Sequence, residues 1–322
     1  MVFMLSLMHE TTLGYIRGLL TRHGRGNCVR IAERIGHSHD RVTRFLSRAV
    51  IDTEMHVRLL FFALRTPGRI GSIIIDDTTI NKEFAKVIEG CSWVWSSAKE
   101  KVVFGYGLVV ICWSDGETVI PIAWKLYDPE SGKTRIDLAV ELLTIVRKWL
   151  RHKPEYVLFD AYYSADKVLR RCRAYGWTYL GRVKKNRLLN GVQAKRVHTH
   201  PRWSEVGKLS CGIRARIVRD CKRYFITNDF DASRTEVVRL YGDRWPIEEV
   251  FRVLHSTLGL DECESRSLTA QTNHIALCML AYHVLENEKT RTGTTWYQSR
   301  HNYMLDPSLA DNAVKALFLG GA

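Results

Sequence analysis

The sequence predicts an α/β protein: a mixed sheet flanked by helices, with a β-rich insertion, preceded by an all-helical unit. Three observations predict it. Across residues 12–64 apolar positions recur at helical spacing and strand alternation is absent. After the breaker Thr66-Pro67-Gly68 the texture changes to apolar runs in the order three strands, helix, strand, helix, strand. Residues 184–232 then alternate in short stretches such as Arg223-Tyr-Phe-Ile-Thr227.

Composition bounds the function. The chain has 322 residues, 46% of them hydrophobic, enough to bury a large core. Lys and Arg outnumber Asp and Glu 48 to 34, a formal charge of +14 spread along the chain. A polyanionic partner is expected. Nucleic acid is favoured over membrane, because no segment reaches the roughly 18 apolar residues of a transmembrane helix. The start, Met1-Val-Phe-Met-Leu-Ser-Leu-Met8, lacks a basic n-region, so no signal peptide is expected. The eight cysteines show no Cys-x-x-Cys pair, which suits reduced thiols in a cytoplasmic protein and excludes a zinc framework.

The helical unit, residues 1–68, contains Val29-Arg-Ile-Ala32-Glu-Arg-Ile-Gly36-His-Ser38-His-Asp40-Arg41-Val42-Thr43-Arg44-Phe45. This has helix-turn-helix spacing: Ala32 is small where helices cross, Gly36 permits the turn, and Val42 and Phe45 seat the second helix. Ser38 or Asp40 would cap that helix. Arg41, Thr43, Arg44 and Arg48 would face outward, suited to a major groove and its phosphates. A helical hairpin packed on the next domain is the other reading.

From residue 69 the strands begin. Arg69-Ile-Gly-Ser-Ile-Ile-Ile75 reads as a buried strand delivering Asp76-Asp77-Thr78-Thr79 at its end. Residues 101–113 and 118–127 read as a hairpin across Ser114-Asp115-Gly116, and 134–150 as an amphipathic helix. Tyr156-Val-Leu-Phe159 is a second short buried strand, ending in Asp160. A helix over 164–175 and a strand over 177–183 follow. Lys184-Lys185-Asn186-Arg187 opens the insertion with a DNA-facing charge, and 267–289 is helical.

Carboxylates at the ends of two apolar strands are costly to bring together unless a cation neutralises them, which points to a metal site. Asp160 alone would equally cap the turn before Ser164. The first strand offers two acids; Asp76 directly ends the apolar run, and Asp77 is the alternative on the other face of the pleat. A third acid is available in Tyr241-Gly-Asp-Arg244-Trp245-Pro-Ile-Glu248-Glu249-Val-Phe-Arg252. On a continuous helix Tyr241, Arg244 and Glu248 share one face, an acid beside phosphate-binding groups; a plain amphipathic helix is the bland alternative. Oxygen ligands without suitably spaced Cys or His select Mg²⁺ or Mn²⁺, and two such ions suit displacement at a phosphodiester.

Tyr241, Arg244 and Glu248, with Asp-Asp-Thr at 76–78 and Leu158-Phe159-Asp160-Ala-Tyr-Tyr163, resemble the DDE transposases of bacterial insertion sequences. The resembled group is the insertion-sequence-four superfamily with its Tyr-x2-Arg-x3-Glu-x6-Lys signature, and His255 stands where the Lys is expected. The resemblance implies an RNase H-like catalytic domain over 69–290, with the insertion at about 184–232 and a C-terminal tail over 291–322. It implies Asp76, Asp160 and Glu248 as metal ligands and catalytic residues, with Tyr241, Arg244 and His255 on phosphate. Trp203 would stack on a flipped base. The implied activity is cut-and-paste transposition: cleavage at terminal inverted repeats and strand transfer into target DNA by a homodimer, in a bacterial or archaeal cytoplasm at the nucleoid. A non-catalytic DNA-binding derivative, or a nuclease on the same fold, is the competing expectation.

Overall fold

The computed structural model describes residues 10–24, 26–64, 69–85, 87–196 and 204–320. They fall into two compact units, one comprising Met1–Thr66, Thr79–Gly107 and Glu248–Ala322, the other Pro67–Thr78 and Leu108–Ile247.

The first unit is mainly helical. Helices α1 (Glu10–Thr21), α2 (Cys28–Ile35), α3 (His39–Arg48) and α4 (Thr53–Leu64) form its N-terminal part. Asn27 caps α2 through the Arg30 N–H, and Ser38, not Asp40, caps α3 through the Arg41 N–H. Gly36 adopts φ 68°, the left-handed conformation that closes α2 at little cost to a residue without Cβ. Val42 and Leu46 are the buried positions of α3, and Phe45 is left half-exposed.

Residues expected as a tail instead carry helices. After α8 (Pro246–Arg252) and α9 (Leu268–Thr292) come α10 (Trp296–Leu305) and α11 (Pro307–Lys315). Between 270 and 286 only Thr272 of α9 escapes burial, so this helix is the unit's core and shows no apolar stripe. It packs on α1, α3, α4 and α10. Its Asn273 donates to the carbonyls of Leu46 (2.8 Å) and Ala49 (2.9 Å), satisfying the last turn of α3.

The second unit holds most of the sheet. The strands of the chain are β1 (Ser72–Asn81), β2 (Ser92–Ser96), β3 (Lys101–Ser114), β4 (Val119–Tyr127), β5 (Val157–Phe159), β6 (Tyr179–Arg182), β7 (Leu188–Leu189), β8 (Val192–Gln193), β9 (Ser204–Lys208), β10 (Arg214–Asp220) and β11 (Arg223–Thr227); β2, the end of β1 and the start of β3 fall within the first unit. They pair in the order β2-β3-β1-β5-β6-β11-β10-β9, with β4 beside β3 and β7 with β8 apart. The pairs β1–β5 and β5–β6 are parallel; the insertion strands β11, β10 and β9 continue the same sheet antiparallel from β6. The insertion therefore widens the sheet instead of standing as a separate β unit.

Helices α5 (Arg135–Trp149) and α6 (Asp166–Ala174) pack together, with α5 on β4, while α7 (Arg234–Gly242) packs on β10 and β6. A capping box between Thr134 and Asp137 starts α5, and another between Ser233 and Glu236 starts α7. Phe159 and Gly181 are register partners on β5 and β6, and a Cβ at 181 would run into the Phe159 ring. β2, with Trp93 and Trp95 on its exposed face, was not anticipated from the sequence.

Candidate active site

The site is built on the parallel pair β1–β5. Ile73, Ile74 and Ile75 stand beside Val157, Leu158 and Phe159, which brings Asp76 into step with Asp160. All six apolar residues are buried, so register is fixed by the core the strands share. β1 does not stop at Ile75: it continues to Asn81, placing both Asp76 and Asp77 within the strand, on opposite faces of the pleat.

The two faces hold their acids differently. Asp77 accepts from the Tyr163 hydroxyl at 2.8 Å and is ion-paired with Arg135 in the first turn of α5. Burial raises its pKa, and Arg135 opposes the rise. Asp76 is ion-paired with Arg244 at 2.6 Å. Burial lifts the Asp76 pKa to about 7; Arg244 works against this and the nearby Asp160 charge adds to it. Asp160 spends one oxygen on the N–H groups of Tyr162 (2.9 Å) and Tyr163 (3.1 Å), so it does cap the turn after β5. Its second oxygen is not used there.

Tyr241 and Arg244 are not on one continuous helix with Glu248. α7 ends at Gly242, and residues 243–245 form tight turns with Arg244 N–H to Tyr241 C=O at 3.2 Å and Trp245 N–H to Gly242 C=O at 3.0 Å. Pro246, which has no N–H to give an earlier carbonyl, then starts α8. Tyr241 and Arg244 still meet, with the guanidinium 5.8 Å from the ring centroid. Burial raises the Tyr241 pKa against the pull of Arg244, so the phenol is a hydrogen-bond donor.

The half-buried carboxylate pair, with the arginine that neutralises one member, is chemistry suited to a cation and a phosphate. A profile of the transposase DDE domain matches residues 67–284. This chain belongs to the DDE transposase family. No curated protein matches its sequence. Among solved structures, the piggyBac transposase in a synaptic complex with hairpin DNA is similar in fold, with a TM-score of 0.58 at 12% identity over 97% of this chain and 72% of that one. The Mos1 strand transfer complex aligns over 47% of this chain and 52% of that one, at 19% identity and a TM-score of 0.21, too slight to carry weight. The architecture of this family member, a mixed sheet flanked by helices, is that of transposase catalytic folds, which are RNase H-like.

The other sequence-predicted residues fall as follows. Glu248 is half-buried in the first turn of α8 and belongs to the first unit, whereas Asp76 and Asp160 belong to the second. Among the described residues no three carboxylate, imidazole or thiol groups converge closely enough to hold an ion. His255 lies in a π-helical turn, Val253–Thr257, whose wider winding takes it out of the regular register, and it pairs with Asp261 at 2.5 Å. Arg41 and Arg44 are exposed, as are Lys184 and Lys185, but Arg187 is ion-paired with Asp166. Trp203 lies outside the described residues. Sequence reasoning missed Arg135 and Tyr163 as the holders of Asp77; the signal for Tyr163 was its place in the Asp160 motif, and nothing local marked Arg135.

Proposed function

We propose that this chain is a cut-and-paste transposase of the bacterial insertion-sequence-four type, cleaving at an element's terminal inverted repeats and joining the ends to target DNA. The observation that carries it is the Asp76–Asp160 pair: two half-buried acids, adjacent in register, with Arg244 ion-paired to Asp76. An all-oxygen donor set of this kind fits Mg²⁺ or Mn²⁺, held by Asp76, Asp160 and, from the signature, Glu248. Such ions, two by family resemblance, supply when bound the Lewis acidity that in-line displacement at a phosphodiester needs.

The chain's own groups do the rest. Arg244 would hold a phosphate oxygen once a cation relieved it of Asp76, and the Tyr241 hydroxyl would donate to another. Asp77, fixed by Arg135 and Tyr163, keeps β1 in place and is not the first acid. The N-terminal helices, Lys184, Lys185 and Trp203 contact DNA, and two copies synapse two ends in the cytoplasm, at the nucleoid. No helix among the described residues is long and apolar enough to cross a membrane.

One observation favours the second reading, a non-catalytic DNA-binding derivative: Asp261 already occupies His255, where the signature has a phosphate-binding Lys. Purified Glu248→Gln, assayed with Mg²⁺ on duplexes carrying the flanking repeats, decides between them. The expected result is wild-type cleavage, loss of about 10³-fold or more in the variant, and unchanged DNA binding. Equal cleavage by both proteins would remove Glu248 from the site, and no cleavage by either would favour the second reading.

A further inference from the structure

Three arginines of α3, Arg41, Arg44 and Arg48, line one cavity of about 520 Å³ in the first unit. Spacings of three and four put them on one helix face, where like charges repel. Several other arginines of this chain are paired with acids: Arg17 with Asp311, Arg22 with Glu262, Arg135 with Asp77, Arg187 with Asp166. Among the described residues these three have no acidic partner, and the one nearby acid in the α3–α4 turn, Asp52, is spent on the Met55 N–H. On this exposed face the like charges repel weakly, and an anion would complete the arrangement.

His56, which also lines the cavity, holds a buried atom in need of a partner. His56, 8% exposed, has Nδ1 2.6 Å from the Asp52 carbonyl oxygen. A carbonyl only accepts, so Nδ1 carries the hydrogen and Nε2 of the neutral ring is an acceptor. Nε2 is buried and has no hydrogen-bond partner. Leaving such an atom unmatched is unfavourable, because it has lost its water without gaining a partner. Phe45 and Ile51 add an apolar wall. The cavity thus asks for a ligand with an anion, a hydrogen-bond donor and a flat apolar face, and its volume lies within the range that holds one small molecule.

We propose that this cavity receives one unpaired nucleotide of a DNA strand: phosphate among Arg41, Arg44 and Arg48, base against Phe45 and Ile51, and a base N–H donated to His56 Nε2. The proposal rests on the reading of the N-terminal helices as DNA-binding and narrows it. On this view α3 grips a strand at a point where a base has left the stack, in place of reading base edges in a groove.

The test uses the full chain, because α3 is packed against α9. The four deoxynucleoside 5′-monophosphates, inorganic phosphate and thymidine are titrated calorimetrically at low salt. At least one monophosphate is expected to bind about tenfold or more tighter than inorganic phosphate, with thymidine undetected. Arg48→Gln should weaken the monophosphate about tenfold, and His56→Phe should abolish its advantage over inorganic phosphate. Because His56 is buried, Arg48→Gln, at an exposed position, stands as the check that does not depend on core packing. A repeat duplex with one unpaired nucleotide should then outbind the fully paired duplex, an advantage lost in Arg48→Gln. Equal affinity for phosphate and monophosphates, or unchanged binding by Arg48→Gln, overturns the pocket. Monophosphate binding without any advantage for the unpaired duplex overturns the strand assignment in favour of a free nucleotide. If the wild type binds no duplex at all, the DNA-binding reading of these helices fails instead.

Discussion

Two clusters of polar groups, one in each unit, are taken out of water in opposite ways. In the first unit Arg22 is 2% exposed, yet it bonds Glu262 at 2.6 Å and the carbonyls of Gly24 and Thr257. His274, fully buried, sits between the Tyr15 hydroxyl at Nδ1 (2.9 Å) and the Gly259 carbonyl at Nε2 (3.0 Å). Nε2 therefore carries its hydrogen, and burial pushes the His274 pKa down to about 4, so the ring is neutral. In the second unit Asp76 keeps one cation while Asp160 crowds it with like charge. Burial this nearly balanced, with the Arg22 Nε left unmatched, holds a fold together. Unbalanced burial leaves a group ready to take something else, and that difference separates scaffold from site here.

Three experiments press on the contrast, beginning with the largest effect. Asp160→Asn keeps the oxygen that caps the Tyr162 and Tyr163 N–H groups and removes the charge. Cleavage should fall about 10³-fold or more, while denaturation in EDTA should show stability unchanged or raised, because a like charge beside Asp76 is gone. A large loss of stability would make Asp160 a structural acid and erase the distinction.

Arg22→Met should do the reverse. It strands Glu262 and the carbonyls that Arg22 serves, and a cost of about 3–5 kcal/mol is expected in chemical denaturation. Activity per folded molecule should be unchanged. A variant as stable as the wild type would show that the Arg22 group is not structural.

The smallest effect is a pH dependence. Below about 6.5, the ordinary value for His274, the unfolded chain binds a proton that the folded chain refuses until about pH 4. Stability contributed by the neutral ring is thus complete above pH 6.5 and is lost as pH falls toward 4, by an amount on the order of 2–3 kcal/mol. His274→Asn should remove that slope between pH 6.5 and 4. An identical slope in both proteins would place the acid sensitivity elsewhere.

The sequence made the strand-borne acids legible because they follow runs of isoleucine, leucine and phenylalanine too apolar to be anything but buried. The α2–α3 turn was equally plain, since Gly36 and Ser38 act through their own backbone neighbours. Legibility fell where long-range partners decide. Asp76 and Asp77 looked like a strand's end, since carboxylates inside a strand are costly, but Arg244 and Arg135 offset that cost from 168 and 58 residues away. Pro246 did announce a helix start, and the three-and-four spacing of Tyr241, Arg244 and Glu248 hid it. No local pattern could show that β11 would pair with β6, or that the helices after 291 would join the N-terminal ones, because both follow from surfaces that exist only once the chain has folded.

The meeting of Phe159 with Gly181 has a consequence for genetics. Gly181 carries no chemistry, yet a methyl group there would push the Phe159 ring and with it the peptide that holds Asp160. In a library of inactive alleles it would therefore sort with the acids. What would set it apart is its suppressor: a second-site change trimming the ring at 159 restores function to the Gly181 allele and to none of the others.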